Sequence, residues 1–173
     1  ANIASFRVDD AAAAAQKYID ELDPETDLII LLTHIGLDGD SLLATKIRGA
    51  DVIVGGHSHT RLNEPCRVNN VVIVQAGSYC KNVGVLELAV AGDSVTAYSG
   101  ELIELVYRVD APRTRLAAFA DSLEEVIQAR YGLIYVVSPE EERVEKAIKE
   151  IATRRQRKLL VWSITNGFES LDG

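Results

Sequence analysis

Val8, Ala11, Ala12, Ala15, Tyr18, Ile19 and Leu22 recur at spacings of three and four, which predicts a helix over residues 8–22. Asp9 and Asp10 stand at its start, where the helix dipole favours acids, and Asp23-Pro24 stops it. The unbroken apolar run 28–32 reads as a strand buried on both faces. Gly36 breaks that run, residues 40–46 read as a short helix, and 51–54 as a second short buried strand ending at Gly55-Gly56. From there the pattern turns to strands over 71–76, 83–90 and 95–105. Asn69-Asn70 suits a tight turn because Asn tolerates positive φ, and Gly92-Asp93 is a second turn signal. Strand-helix-strand followed by hairpins is the pattern of a layered α/β domain whose later strands are antiparallel.

The texture changes near Arg108. Pro112 opens a helical stretch to about Arg130, Gly132 ends it, and 133–137 is an apolar strand. Ser138, Pro139 and Glu141 form a helix start, with Ser138 as N-cap, Pro139 at the first helical position and Glu141 closing a capping box. Val144, Ala147, Ile148 and Ile151 make the apolar stripe of that helix, and 159–164 is the next strand. A β-α-β unit predicts two parallel strands with a right-handed crossover. The expected organisation is therefore 1–107 as one unit and 108–173 as another.

Charge separates the two parts as well. Residues 1–107 hold 7 Lys and Arg against 15 Asp and Glu, while 108–173 hold 11 of each, so the net charge of -8 lies in the first part. An acidic first part argues against duplex nucleic acid as a partner and suits a site that collects divalent cations. No stretch nears the ~20 apolar residues of a membrane span, and residues 1–10 lack a signal-peptide pattern. A cytoplasmic protein is expected, a leader already removed being the alternative. Cys66 and Cys80 are the only cysteines and are expected as free thiols, although two hairpin strands could bring them together.

The chain has three histidines, and each follows a buried strand. His34 follows the first; His57 and His59 follow the second through two glycines. In open α/β sheets, ligands bind beyond the carboxyl ends of parallel strands. Imidazole suits zinc, manganese or iron. If His57-Ser58-His59 is extended, period-two alternation sends both rings to one side. Gly55 and Gly56 let backbone approach a ligand closely, substrate included. Asp38 and Asp40 lie near His34 and could supplement a site, but a solvated helix start is the expected role for both.

The segments Leu31-Leu32-Thr33-His34-Ile35-Gly36, Asp51-Val52-Ile53-Val54-Gly55-Gly56-His57-Ser58-His59-Thr60 and Val74-Gln75-Ala76-Gly77-Ser78-Tyr79 resemble the C-terminal portion of a calcineurin-like metallophosphoesterase. The branch is that of 5'-nucleotidases and 2',3'-cyclic phosphodiesterases. The resemblance implies that His34 and His57 bind one divalent ion (Mn, Zn or Fe) and His59 a second. It further implies that the pair of ions activates water against nucleotide-like phosphoesters. The family's D-x-H, G-D and G-N-H-E segments are missing here, and with them the bridging carboxylate and the transition-state histidine. No catalytic residue can be assigned, and phosphatase chemistry is expected to fail on this chain unless another segment or chain supplies the rest.

Residues 122–173 resemble something else. Leu133-Ile134-Tyr135-Val136-Val137-Ser138-Pro139-Glu140-Glu141 and Val161-Trp162-Ser163-Ile164-Thr165-Asn166-Gly167-Phe168 are similar to the region before the nucleotide-binding core of Ycf46-type AAA ATPases. No G-x-x-x-x-G-K-[ST] loop accompanies them, so nucleotide binding does not carry over. The expected fold class is α/β: a layered, metallophosphoesterase-like half-sandwich with antiparallel strands, followed by a β-α-β unit. A fusion, one chain of a split assembly and a fragment of a longer product all remain open. In each, a bare sheet edge favours self-association or a complementary chain. The competing function is a non-catalytic scaffold that oligomerises and keeps its histidines as relics.

Overall fold

A computed structural model describes residues 9–105, 123–129, 133–136, 141–163 and 167–170. Helix α1 (Ala11–Leu22) is capped by Asp10, whose Oδ1 accepts the Ala13 amide at 3.0 Å. A single 3-10 turn, Asp23–Glu25, follows it where Pro24 was expected to end the helix. Strand β1 (Ile30–Leu32), helix α2 (Leu37–Lys46) and strand β2 (Val52–Val54) come next. Then come β3 (Cys66–Val68), β4 (Val71–Val74), β5 (Asn82–Val90) and β6 (Val95–Glu104). Beyond residue 107 the described elements are helix α3 (123–128), β7 (Leu133–Tyr135), α4 (Glu141–Arg154), β8 (Leu160–Ser163) and β9 (Gly167–Ser170). Pro112, Gly132, Ser138 and Pro139, and the expected boundary at 108–112, lie outside the described residues.

The first sheet has the order β1-β2-β4-β3. β1, β2 and β4 run parallel, and only β3 is antiparallel, joined to β4 through the Asn69-Asn70 turn in which Asn69 has φ 54. β4 was expected among the antiparallel strands; it joins β2 in parallel instead, because β3 at the outer end of the sheet carries the chain back and the hairpin then returns it beside β2. The second sheet, β6-β5-β7, is antiparallel throughout.

Period-two alternation turns these sheets into layers. Ile53, Val71 and Ile73 face α1 and α2, packing with Ile19, Leu43, Ala44 and Ile47. Val52, Val72 and Val74 face the other way, onto Leu86 and Tyr135 of the second sheet. Val83 and Val85, on the far face of that sheet, pack under Leu123 and Val126 of α3 and Ala147 and Ile151 of α4. The order is thus helices, sheet, sheet, helices, with elements from beyond residue 107 completing the second sheet and its outer layer.

Two elements differ from their expected form. β1 is not buried on both faces: among the described residues it is the edge of its sheet, and Leu32 is 73% exposed. The parallel pairing expected within 133–164 is absent among the described residues, because β7 pairs antiparallel with β5 and β8 pairs antiparallel with β9. The succession strand-helix-strand is present; its partners lie elsewhere. Cys66 and Cys80 are free thiols. No helix among the described residues is long and apolar enough to cross a membrane.

Tyr135 closes the seam between the sheets. It stands opposite Gly84 in the β5–β7 register, and burial pushes its phenol up to about 12 from the ordinary 10.0. The folded state therefore favours the neutral phenol. Its stability share is complete below about pH 10 and is lost as pH rises through 12. Tyr135→Phe is expected to remove that loss. Unfolding free energies of variant and wild type from urea titration should draw apart progressively above pH 10, towards roughly 3 kcal/mol once the phenol is fully ionised.

Candidate metal centre

The parallel register Ile30↔Val52, Leu31↔Ile53, Leu32↔Val54 ends both strands at the same level. The Thr33 amide continues the ladder to the Val54 carbonyl at 3.0 Å, and Gly36 donates to the Gly56 carbonyl at 3.1 Å. Side chains just past the two strand ends must therefore meet. His34 and His57 do: their rings are 5.3 Å apart in an edge-to-face arrangement, both on exposed residues. Gly56 is needed for this, since a Cβ there would lie 2.8 Å from His34 Nδ1.

His57 and His59 are not on an extended segment. Their φ angles are 76° and 56°, in the left-handed region that non-glycine residues rarely enter. The segment coils, and the alternation argument does not apply. His59 packs instead against Tyr79, with ring centroids 5.6 Å apart. Tyr79 and Cys80 also have positive φ, so strained backbone gathers on both sides of the site.

What holds the coil is Gln75, a fully buried side chain at the end of β4. Its Oε1 accepts the Thr60 amide at 2.6 Å and the Ser58 hydroxyl at 2.9 Å, and its Nε2 donates to the Gly56 carbonyl at 3.2 Å. Ser58 Oγ also accepts the Leu37 amide at 3.1 Å and sits 2.8 Å from Thr60 Oγ1. Gln75 lies within a segment that carries the sequence resemblance, but nothing in its neighbours marks it as a clamp. A polar residue at the end of the apolar run 71–74 was the available signal.

Asp38 is exposed, as expected. Asp40 is not a solvated helix residue: it has no exposed surface. Thr33 Oγ1 donates to its Oδ1 at 2.6 Å, and its Oδ2 is buried without a partner. Burial holds its carboxyl above the usual range, against the opposing pull of the Thr33 bond and of His34. A Cβ on Gly55 would collide with that Oδ2.

Two imidazoles at this separation fit one borderline first-row cation. Among the described residues, no group of three or more His, Cys, Asp or Glu side chains is placed to hold a metal ion. The residues present fit part of a centre.

A trifunctional nucleotide phosphoesterase, YfkN of Bacillus subtilis, is 37% identical over 90 residues, covering 49% of this chain and 6% of its own. Mouse 5'-nucleotidase is 31% identical over 116 residues, covering 55% of this chain and 20% of its own. This chain's homologues thus include metallophosphoesterases and 5'-nucleotidases. The solved 5'-nucleotidase precursor of Thermus thermophilus agrees, with 30% identity, a TM-score of 0.52, and coverage of 69% of this chain and 28% of that one. Sulfate thiohydrolase SoxB of the same organism shares the fold, with a TM-score of 0.54 over 88% of this chain and 23% of its own at 24% identity. The chain spans well under a third of each of these relatives' lengths. Residues 119–173 also match the family described as the N-terminal domain of SpoVK-like AAA ATPases. The AAA resemblance of the last third therefore stands, under the SpoVK description.

Proposed function

We propose that this chain carries one side of a two-metal phosphoesterase site for nucleotide-like substrates. His34 and His57 hold one divalent ion, Mn²⁺, Zn²⁺ or Fe, and His59 contributes to a second. The observation that carries this is the meeting of the His34 and His57 rings beyond two adjacent parallel strand ends. Homologues named as nucleotide phosphoesterases and metallophosphoesterases support the substrate class and the use of metal. When bound, such ions polarise phosphate oxygens and acidify water. The chain itself contributes the exposed imidazoles and the glycine backbone at 55 and 56, which leaves room for a ligand. The remaining ligands come from another segment or chain along β1, whose outer edge pairs with no other strand among the described residues and whose Leu32 is exposed.

The test is metal content after dialysis against Mn²⁺ or Zn²⁺. His34→Ala or His57→Ala should each weaken retention of the first ion by about tenfold or more, as loss of one of few ligands does. His59→Ala should affect it less. Retention no higher in wild type than in the His34→Ala/His57→Ala double variant would sink the metal assignment. Hydrolysis of bis-p-nitrophenyl phosphate by the chain alone should be negligible.

The exposed β1 edge also favours a second reading, a scaffold that self-associates without catalysis. Light scattering separates the two: a stable oligomer that retains no metal supports the scaffold, and a metal-binding monomer excludes it.

A further inference from the structure

We propose that Asp40 is the positioning residue of the histidine pair, joining the backbone before His34 to the loop before His57. It lies in the first turn of α2, below the site, with no surface exposed. One oxygen is tied by the Thr33 hydroxyl at 2.6 Å, and Thr33 is the residue immediately before His34. The other oxygen has no hydrogen-bond partner and is pressed against Gly55, two residues before His57, where no side chain could be accommodated. One carboxylate thus fixes the end of β1 through a hydrogen bond and the end of β2 by contact. A buried carboxylate oxygen without a partner is costly. It is retained where it sets the spacing of two side chains that must act together. Carboxylates that orient metal-binding histidines commonly alter metal affinity by 10–100-fold without touching the ion.

The inference rests on the reading of His34 and His57 as a ligand pair, so its test has one arm without metal. In the metal-free protein, cross-relaxation between the His34 and His57 ring protons reports their proximity. Asp40→Ala and Thr33→Val should each weaken it, while Asp40→Asn and Thr33→Ser, which keep the Thr33-to-40 hydrogen bond, should restore it. In the second arm, Co²⁺ alone is titrated and its visible bands recorded. Asp40→Ala and Thr33→Val should bind about tenfold more weakly or worse with altered bands, and the two conservative variants within about threefold of wild type. If Asp40→Ala fails to fold, Thr33→Val decides, since it removes the same bond from the exposed side. Folded Thr33→Val with unchanged cross-relaxation and an unchanged cobalt spectrum overturns the proposal. Absence of cobalt binding in wild type defeats the metal reading alone and leaves the first arm to decide the role of Asp40.

Discussion

Gly84→Ala is expected to destabilise the fold by about 3 kcal/mol or more, as severe overpacking does. Gly84 lies in the middle of the second sheet, opposite Tyr135, and a Cβ there would collide with the ring atoms Cζ, Cε1 and Cε2. Tyr135 cannot yield easily. It is 7% exposed and packed among Val52, Val72, Val74 and Leu86, between the two sheets. Relief therefore means moving β7 off β5, which opens the joint between the first part of the chain and the elements beyond residue 107. A double-mutant cycle isolates the collision. Tyr135→Ala alone should cost about 3–5 kcal/mol, the usual cost of emptying a large aromatic site. Gly84→Ala/Tyr135→Ala should cost no more than Tyr135→Ala by itself, because the added methyl then has room. Urea denaturation measures all three. Additive costs would mean that ring and glycine do not meet and that β7 is not seated on β5.

The features legible in sequence are those with local causes. Asp10 stands at the start of α1, where acids were expected, and caps it by accepting an amide three residues on, and Asn69-Asn70 and Gly92-Asp93 turn where turn chemistry says they should. The pairing of His34 with His57 came from the family resemblance; the apolar runs alone said only that each histidine follows a strand. The misreadings share a non-local cause. The apolar run 28–32 looks doubly buried, but burial depends on what lies beyond the sheet edge, and along β1 none of the described residues does. Asp40 looks like a solvated helix start until Thr33, seven residues earlier, supplies its partner. The pair His57 and His59 looks extended because period-two reasoning assumes a strand. Here the chain has already left β2, and Gln75, on another strand, bends it. The strand at 133–135 invites pairing with its sequence neighbour at 160–163, yet β5 offers a longer apolar edge and takes it.

Gln75→Leu is expected to cost about 3 kcal/mol and to loosen the histidine loop. The cost is unevenly spread over the three bonds that Gln75 makes. The Gly56 carbonyl keeps the Gly36 and Ser58 amides when Nε2 is lost. Ser58 Oγ keeps the Leu37 amide and Thr60 Oγ1. The Thr60 amide has no such reserve among the hydrogen bonds described, so it becomes the orphan, at about 1–3 kcal/mol, with roughly 1 kcal/mol for each bond lost besides. Leucine restores apolar contact but no acceptor. The second consequence concerns the backbone. Left-handed φ angles at His57 and His59 each cost on the order of 1–3 kcal/mol and persist only while the surroundings impose them. With the clamp removed, 57–60 can relax towards negative φ, carrying His57 away from His34 and His59 away from Tyr79. Chemical denaturation gives the stability loss, and amide exchange at residues 57–60 gives the loosening, which should exceed that at β4 itself. A loss of stability with unchanged exchange in the loop would mean that Gln75 only fills the core. Faster exchange confined to the loop would mean that a buried side-chain amide just past β4 keeps two histidines in conformations they would otherwise leave.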